Sequence, residues 1–148
     1  MTTIANYMSG DHRHCDAIFA AAESAVDEQD WELAKQQTGA FLKAMEEHFS
    51  IEESVLFPAF EQATGMAGGP TQVMRYEHQQ MRSLFAEMEM ALAETDEDEF
   101  LSVTETLLIM MQQHNMKEEG IIYAMSDTLL GPEDVSSVLS QIHNIAAA

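Results

Sequence analysis

The chain has 148 residues, 26 of them acidic against six basic, for a formal net charge of −20. An excess of that size sets the surface against nucleic acid and anionic membranes, which would repel it, and gives a well-solvated exterior. The length suits one domain over residues 1–148, and no apolar run approaches the length that spans a bilayer.

The N-terminus lacks the basic-then-apolar pattern of a signal peptide, so a cytoplasmic location is the expectation. A lone Cys15 allows no internal disulfide and no Cys-based zinc cluster. Three Pro and seven Gly among long helical patterns argue against a sheet.

The first helix is expected from about Thr3 to Val26, because Ile4, Met8, His12, Cys15, Phe19, Ala22 and Val26 recur at threes and fours. Gly10 lowers helix propensity by roughly 1 kcal/mol relative to Ala, so the segment before it is expected to bend or fray. Asp27 to Asp30 reads as a turn, and Asp30 as the N-cap of a second helix with Glu32 in its first turn. Phe41, Ala44, Met45, His48, Glu52, Val55, Leu56 and Ala59 form its inner face, and Pro58 predicts a kink rather than an end. This helix stops near Thr64, before the Gly-rich loop 65–70.

A third helix opens at Pro70 or Thr71 and turns Met74, His78, Met81, Phe85, Met88 and Leu92 inward. Thr95 and Asp98 read as a capping pair for the fourth, whose inner face is Leu107, Met110, Met111, His114, Glu118, Ile121, Ile122 and Met125. Gly131-Pro132 ends it. A short fifth helix, about 133–146, carries Val135, Val138, Leu139 and Ile142 for packing on the others.

One stretch is written twice. His48-Phe49-Ser50-Ile51-Glu52-Glu53 returns as His114-Asn115-Met116-Lys117-Glu118-Glu119, and each copy is preceded by an acidic residue and a His, Asp11-His12 and Glu77-His78, with 36 residues from His to His. Met8 matches Met74, Phe19 matches Phe85 and Val26 matches Leu92, so the repeat unit is a helical hairpin, about 3–64 and about 70–130. His and Glu at i and i+4 lie about 40° apart on a helix and one turn along it, aimed at one point. Two such hairpins can bring together four imidazoles and two carboxylates. The repeat register selects His12 over His14, which falls about 200° away from it and faces solvent.

A nitrogen and oxygen set of this kind suits iron, manganese or zinc rather than calcium or copper(I). Six ligands exceed what one tetrahedral zinc needs and do not saturate two octahedral ions. Two divalent ions with both Glu bridging and two His on each use all six, leave open positions, and balance the charge with a bridging hydroxide or oxide. Ferritin-like di-iron bundles use Glu-x-x-His, and no His here has a Glu three residues before it.

The paired His-x-x-x-Glu-Glu motifs with their upstream Asp/Glu-His segments resemble the hemerythrin-like proteins, the HHE cation-binding family, over about residues 8 to 125. The resemblance implies an all-α fold, an antiparallel four-helix up-down bundle with the short fifth helix appended. It also implies a centre of two Fe ions bridged by two carboxylates and an oxo or hydroxo group. Its metal ligands would be His12, His48, Glu52, His78, His114 and Glu118. Oxygen-carrying members have His-x-x-x-His on the third helix, whereas here Met74 and Arg82 flank His78 at that spacing, and Glu118 stands at i+4 where the carriers have Asp at i+5. The expected partners are dioxygen, peroxide or nitric oxide, and the departures favour redox turnover or sensing over oxygen storage. A binding protein, a peroxide-consuming or nitric oxide-reducing enzyme, and an iron-responsive regulatory or storage protein all fit these residues.

Asp16 and Arg82, one turn after His12 and His78, are an ion pair or tuning partners, or else two separate surface charges. Glu53 and Glu119 are expected to be solvated. The 12 Met serve mainly as core filling. Tyr76 and Tyr123 are expected to point away from the ligand faces, Cys15 to be a buried and inert thiol, and His143 to be structural.

Overall fold

The computed structural model describes residues 2–147. The chain forms five helical rods, without strands among the described residues. Helix α1 spans Ile4–Asp27. Helix α2, Trp31–Ile51, runs through a π turn at Glu52–Leu56 into α3, Phe57–Thr64. Helix α4 is Pro70–Ala93, and α5, Glu97–Lys117, passes through a second π turn at Glu118–Ile122 into α6, Tyr123–Leu129. The short α7, Pro132–Ala147, closes the chain. α1 lies along α2 and α4 along α5, and the two hairpins pack as an antiparallel bundle.

Each hairpin turns in the same way. Gln29 and Thr95, 66 residues apart, both take the left-handed conformation, with φ of 60° and 48°. After them Asp30 and Asp96 donate their backbone N–H to Ala25 and Ala91, each at 2.9 Å, which ties up a helix-terminal carbonyl. The side chains of the same two aspartates then cap α2 and α5 by accepting from the N–H of Leu33 and Glu99. The cap of α5 is therefore Asp96 rather than the expected Thr95 and Asp98 pair. Thr95 is already committed to the left-handed turn, and its hydroxyl bonds back to the Glu94 carbonyl.

The expected weakness around Gly10 is absent, since α1 is continuous from Ile4. Its first turn is held from outside the helix. Thr3 accepts from Asn6 N–H, and the Asp127 carboxylate on α6 accepts from Ile4 and Ala5 N–H at 2.9 and 3.0 Å. The end of α3 comes from Gly65, whose φ of 71° suits a residue without a Cβ.

Two apolar clusters fill the bundle. One holds Cys15, Phe19, Phe41, Phe49, Phe85 and Phe100, and the other Ile4, Met8, Phe57, Phe60, Ile122 and Ile142. Between them on α1 and α4 lie His12, flanked by Met8 and Cys15, and His78, flanked by Met74 and Met81. A polar layer is thus enclosed by apolar packing on both sides. Val138 and Ile142 of α7 are buried against the second cluster, with Val135 and Leu139 beside them.

The π turns change the expected faces. Phe57 N–H bonds to the Glu52 carbonyl and Tyr123 N–H to the Glu118 carbonyl, both i to i−5. The expected kink at Pro58 is replaced by this wider turn just before the proline. The proline does not explain it, because the matching position in the second hairpin is Ala124 and the same turn forms there. One extra residue in the turn rotates the side chains beyond it, so Ile121, expected inside, is 43 % exposed while Ile122 and Tyr123 are buried.

Candidate metal centre

His12 comes from α1, His48 from α2, Glu52 from the first π turn, His78 from α4, His114 from α5 and Glu118 from the second π turn. All six are buried, and Glu52, His78 and Glu118 have no exposed surface. Their inward atoms form two groups of four, His12, His48, Glu52 and Glu118 in one and Glu52, His78, His114 and Glu118 in the other. Within each group the atoms lie within 4.8 Å of one another. Both glutamates belong to both groups, so the two carboxylates lie between two adjacent sites. The structure brings together every residue of the expected set.

Four outer carboxylates orient the imidazoles. His48 Nδ1–H donates to Asp11 at 2.8 Å and His114 Nδ1–H to Glu77 at 2.8 Å. His12 Nδ1–H donates to Glu119 and His78 Nδ1–H to Glu53, both at 2.7 Å. A carboxylate accepts only, so each Nδ1 carries a proton and each Nε2 is turned inward. Glu53 and Glu119 are thus not merely solvated as expected, because each crosses to the other hairpin to hold its histidine. Although burial opposes it, the hydrogen bonds from Arg82 and His78 hold Glu53 below the usual carboxylate range. Burial likewise pushes Asp11 up, but the bond from His48 outweighs it and holds that carboxyl below its ordinary value.

Arg82 does not pair with Asp16. Its guanidinium binds Glu46 and Glu53, each at 3.0 Å, and so braces the carboxylate that holds His78. Asp16 is exposed. Lys117 plays the corresponding part for Glu77. Cys15 is buried, and burial together with nearby acidic charges pushes its thiol up to about 12, in keeping with an inert side chain. Tyr76 is exposed, as is His143, which meets Tyr7 edge-on.

Tyr123 reverses its expectation. Its ring is fully buried and its hydroxyl lies 2.6 Å from Glu52 Oε2 and 2.9 Å from Glu118 Oε1. On a regular α-helix a residue five beyond Glu118 would point about 140° away. The π turn stacks it over Glu118 instead. The available signal is the repeat itself, which pairs Tyr123 with Phe57.

The donor set fits a cation. Glu52 Oε1, His78 Nε2, His114 Nε2 and Glu118 Oε2 are all buried and make no hydrogen bond. These are the four members of the second group, and buried lone pairs left in this way are costly unless something positive meets them. The family profile of the hemerythrin HHE cation-binding domain matches residues 3–126. The chain belongs to the hemerythrin family. No curated protein and no solved structure gave a match. As in that cation-binding family generally, the buried His and Glu groups here could hold metal. No helix of this hemerythrin domain, among the described residues, is long and apolar enough to cross a membrane.

Proposed function

We propose that this hemerythrin-family chain is a non-haem di-iron protein whose ligands are His12, His48, Glu52, His78, His114 and Glu118. The observation that carries the reading is the sharing of Glu52 and Glu118 between two adjacent four-residue groups. Carboxylates so placed suit bridging, and the mixed imidazole and carboxylate set suits iron. An iron pair there supplies redox chemistry with positions open to dioxygen, peroxide or nitric oxide.

The protein's own residues limit that chemistry. Apolar clusters above and below the ligand layer exclude bulk water, and the four outer carboxylates fix the imidazoles before metal arrives. Neither neighbour of His78 at helical spacing adds a ligand, since Met74 is a thioether in the core and Arg82 is engaged with Glu46 and Glu53. Fewer protein ligands leave more positions for reaction, so the reading favours reactive turnover over reversible storage.

Metal content and visible absorption of the purified protein test the assignment. Two irons per chain with charge-transfer bands are expected, and a colourless protein holding zinc alone would remove it. Anaerobic addition of nitric oxide or peroxide to the reduced, iron-loaded protein then identifies which small molecule reacts.

A further inference from the structure

The duplicated frame is broken at one position beside the metal centre. Phe57 and Tyr123 lie 66 residues apart, each comes directly after its π turn and each is fully buried. The Phe57 ring stands over His78, with centroids 5.6 Å apart, and the Tyr123 ring stands over His12 at the same 5.6 Å. The two positions differ by a hydroxyl.

That oxygen is surrounded by one complete group of donors. Tyr123 Oη lies 2.6 Å from Glu52 Oε2, 2.9 Å from Glu118 Oε1, 3.2 Å from His12 Nε2 and 3.4 Å from His48 Nε2. The rings of His12 and His48 are each held from the outer side, where Nδ1 bonds to Glu119 and Asp11. Five oxygen and nitrogen atoms, the hydroxyl among them, therefore converge on one point. Ligands at right angles to one another on a metal with bonds of about 2.0–2.2 Å stand about 2.8–3.1 Å apart. The distances from Oη fall around that spacing. In the other group Phe57 offers no such atom, and four donors are left without partners.

Resting on the two-ion reading above, we infer that Tyr123 is a fifth protein ligand, through its phenolate oxygen, to the ion held by His12, His48, Glu52 and Glu118. A cation at the same four atoms favours a phenolate oxygen over a phenol. On ligation the O–H bond breaks, its electron pair stays on oxygen and becomes the bond to the metal, and the proton leaves to solvent. The two ions become unequal although the hairpins repeat. The side of Tyr123 is the more saturated, and the side of Phe57, with His78 and His114, is where an external ligand binds.

The test loads wild type and Tyr123→Phe with ferrous iron anaerobically, oxidises both with ferricyanide, and reads iron per chain, visible absorption and resonance Raman spectra. Two irons in both proteins, with phenolate-to-iron absorption and enhanced tyrosine ring vibrations in wild type only, are expected. Phe already occupies the mirrored position, so the substitution suits the packing. Should that variant fail to fold, a Tyr7→Phe/Tyr76→Phe protein leaves Tyr123 as the sole tyrosine of the three and must keep the signature. Two bound irons without it would overturn the ligand assignment alone. A phenolate signature at one iron per chain would overturn the two-ion reading and keep the ligand, and a wild type that takes up no iron would remove both.

Discussion

Glu52 and Glu118 meet at the centre of the bundle and belong to the same two groups of inward donors, although 66 residues separate them in the chain. Burial and the Glu118 charge push Glu52 up to about 8. Burial also acts against the Glu118 charge, but the hydrogen bond from Glu52 and the charge of His114 hold that group well below the usual range. Metal-free protein at neutral pH therefore keeps one proton between the two carboxylates.

The stability of the metal-free protein should then fall as pH rises from about 4.5 to about 8, the unfolded and folded values of Glu52. Through that window the folded state binds the extra proton, so its advantage is complete below the window and is lost above it. His48 and His114, both raised by their carboxylate partners despite burial, act in the same sense above 6.5. Glu118, lowered, contributes in the opposite sense and only as pH drops below 4.5. Thermal midpoints of chelator-treated protein across this range check it. Glu52→Gln should flatten the slope, and a midpoint that climbs through the window would contradict the shared-proton account.

Metal should reverse that trend. Bound cations need Glu52 ionised and the four Nε2 atoms free of protons, so affinity rises with pH and protons are released on uptake. At free metal about 100-fold above its dissociation constant, the gain in stability is about 2.7 kcal/mol. Chelation followed by calorimetric unfolding measures it, and identical midpoints with and without metal would argue against a bound cation.

Asp11→Ala removes the acceptor of His48 Nδ1–H without touching the inner group. The imidazole is then free to rotate or to change tautomer, and metal affinity should weaken by about 10–100-fold. Competition against a coloured chelator reads this directly. An unchanged affinity would mean that the ring is held by packing alone.

Asp127→Ala separates folding from metal binding. It deletes the carboxylate that accepts from Ile4 and Ala5 N–H, and the loss should be roughly 0.5–2 kcal/mol, as for a helix cap. Amide exchange should quicken at those two residues first. Metal affinity should stay at the wild-type value, because the hydrogen bonds of Asp127 among the described residues go to Ile4 and Ala5 and not to the six inner side chains.

Cys15 should resist thiol reagents in the native protein and react at once in denaturant. Burial and four nearby acidic groups push its thiol up to about 12, so almost no thiolate exists at neutral pH. A fast native reaction tracked by absorbance would show that α1 opens locally beside His12.

The repeat makes most of this centre readable from residues alone. Four histidines and two glutamates can be expected to converge because their positions obey the same helical period as the apolar face around them, and because two copies in equal register check each other. The cap at Asp30 and the stop near Thr64 are legible for a similar reason, since both depend on neighbours within a few positions.

Where the structure departs from the sequence expectation, the deciding interactions fall outside the regular helical period. Thr95 joins the hairpin turn rather than the cap, and Glu53 and Glu119 find their partners on the opposite hairpin. Tyr123 is brought inward by a change of helical period at Glu118–Ile122, and that turn forms in a copy that has no proline at the position of Pro58.

Spacing along single helices is thus enough to name the six inner side chains and the bundle that carries them, because regular helical geometry is a property of neighbouring residues. The tertiary structure decides the outer carboxylate ring and the asymmetric phenol. Both depend on which side chain of one hairpin reaches the other, and on where packing widens a helical turn, and neither is encoded at a fixed distance along the chain.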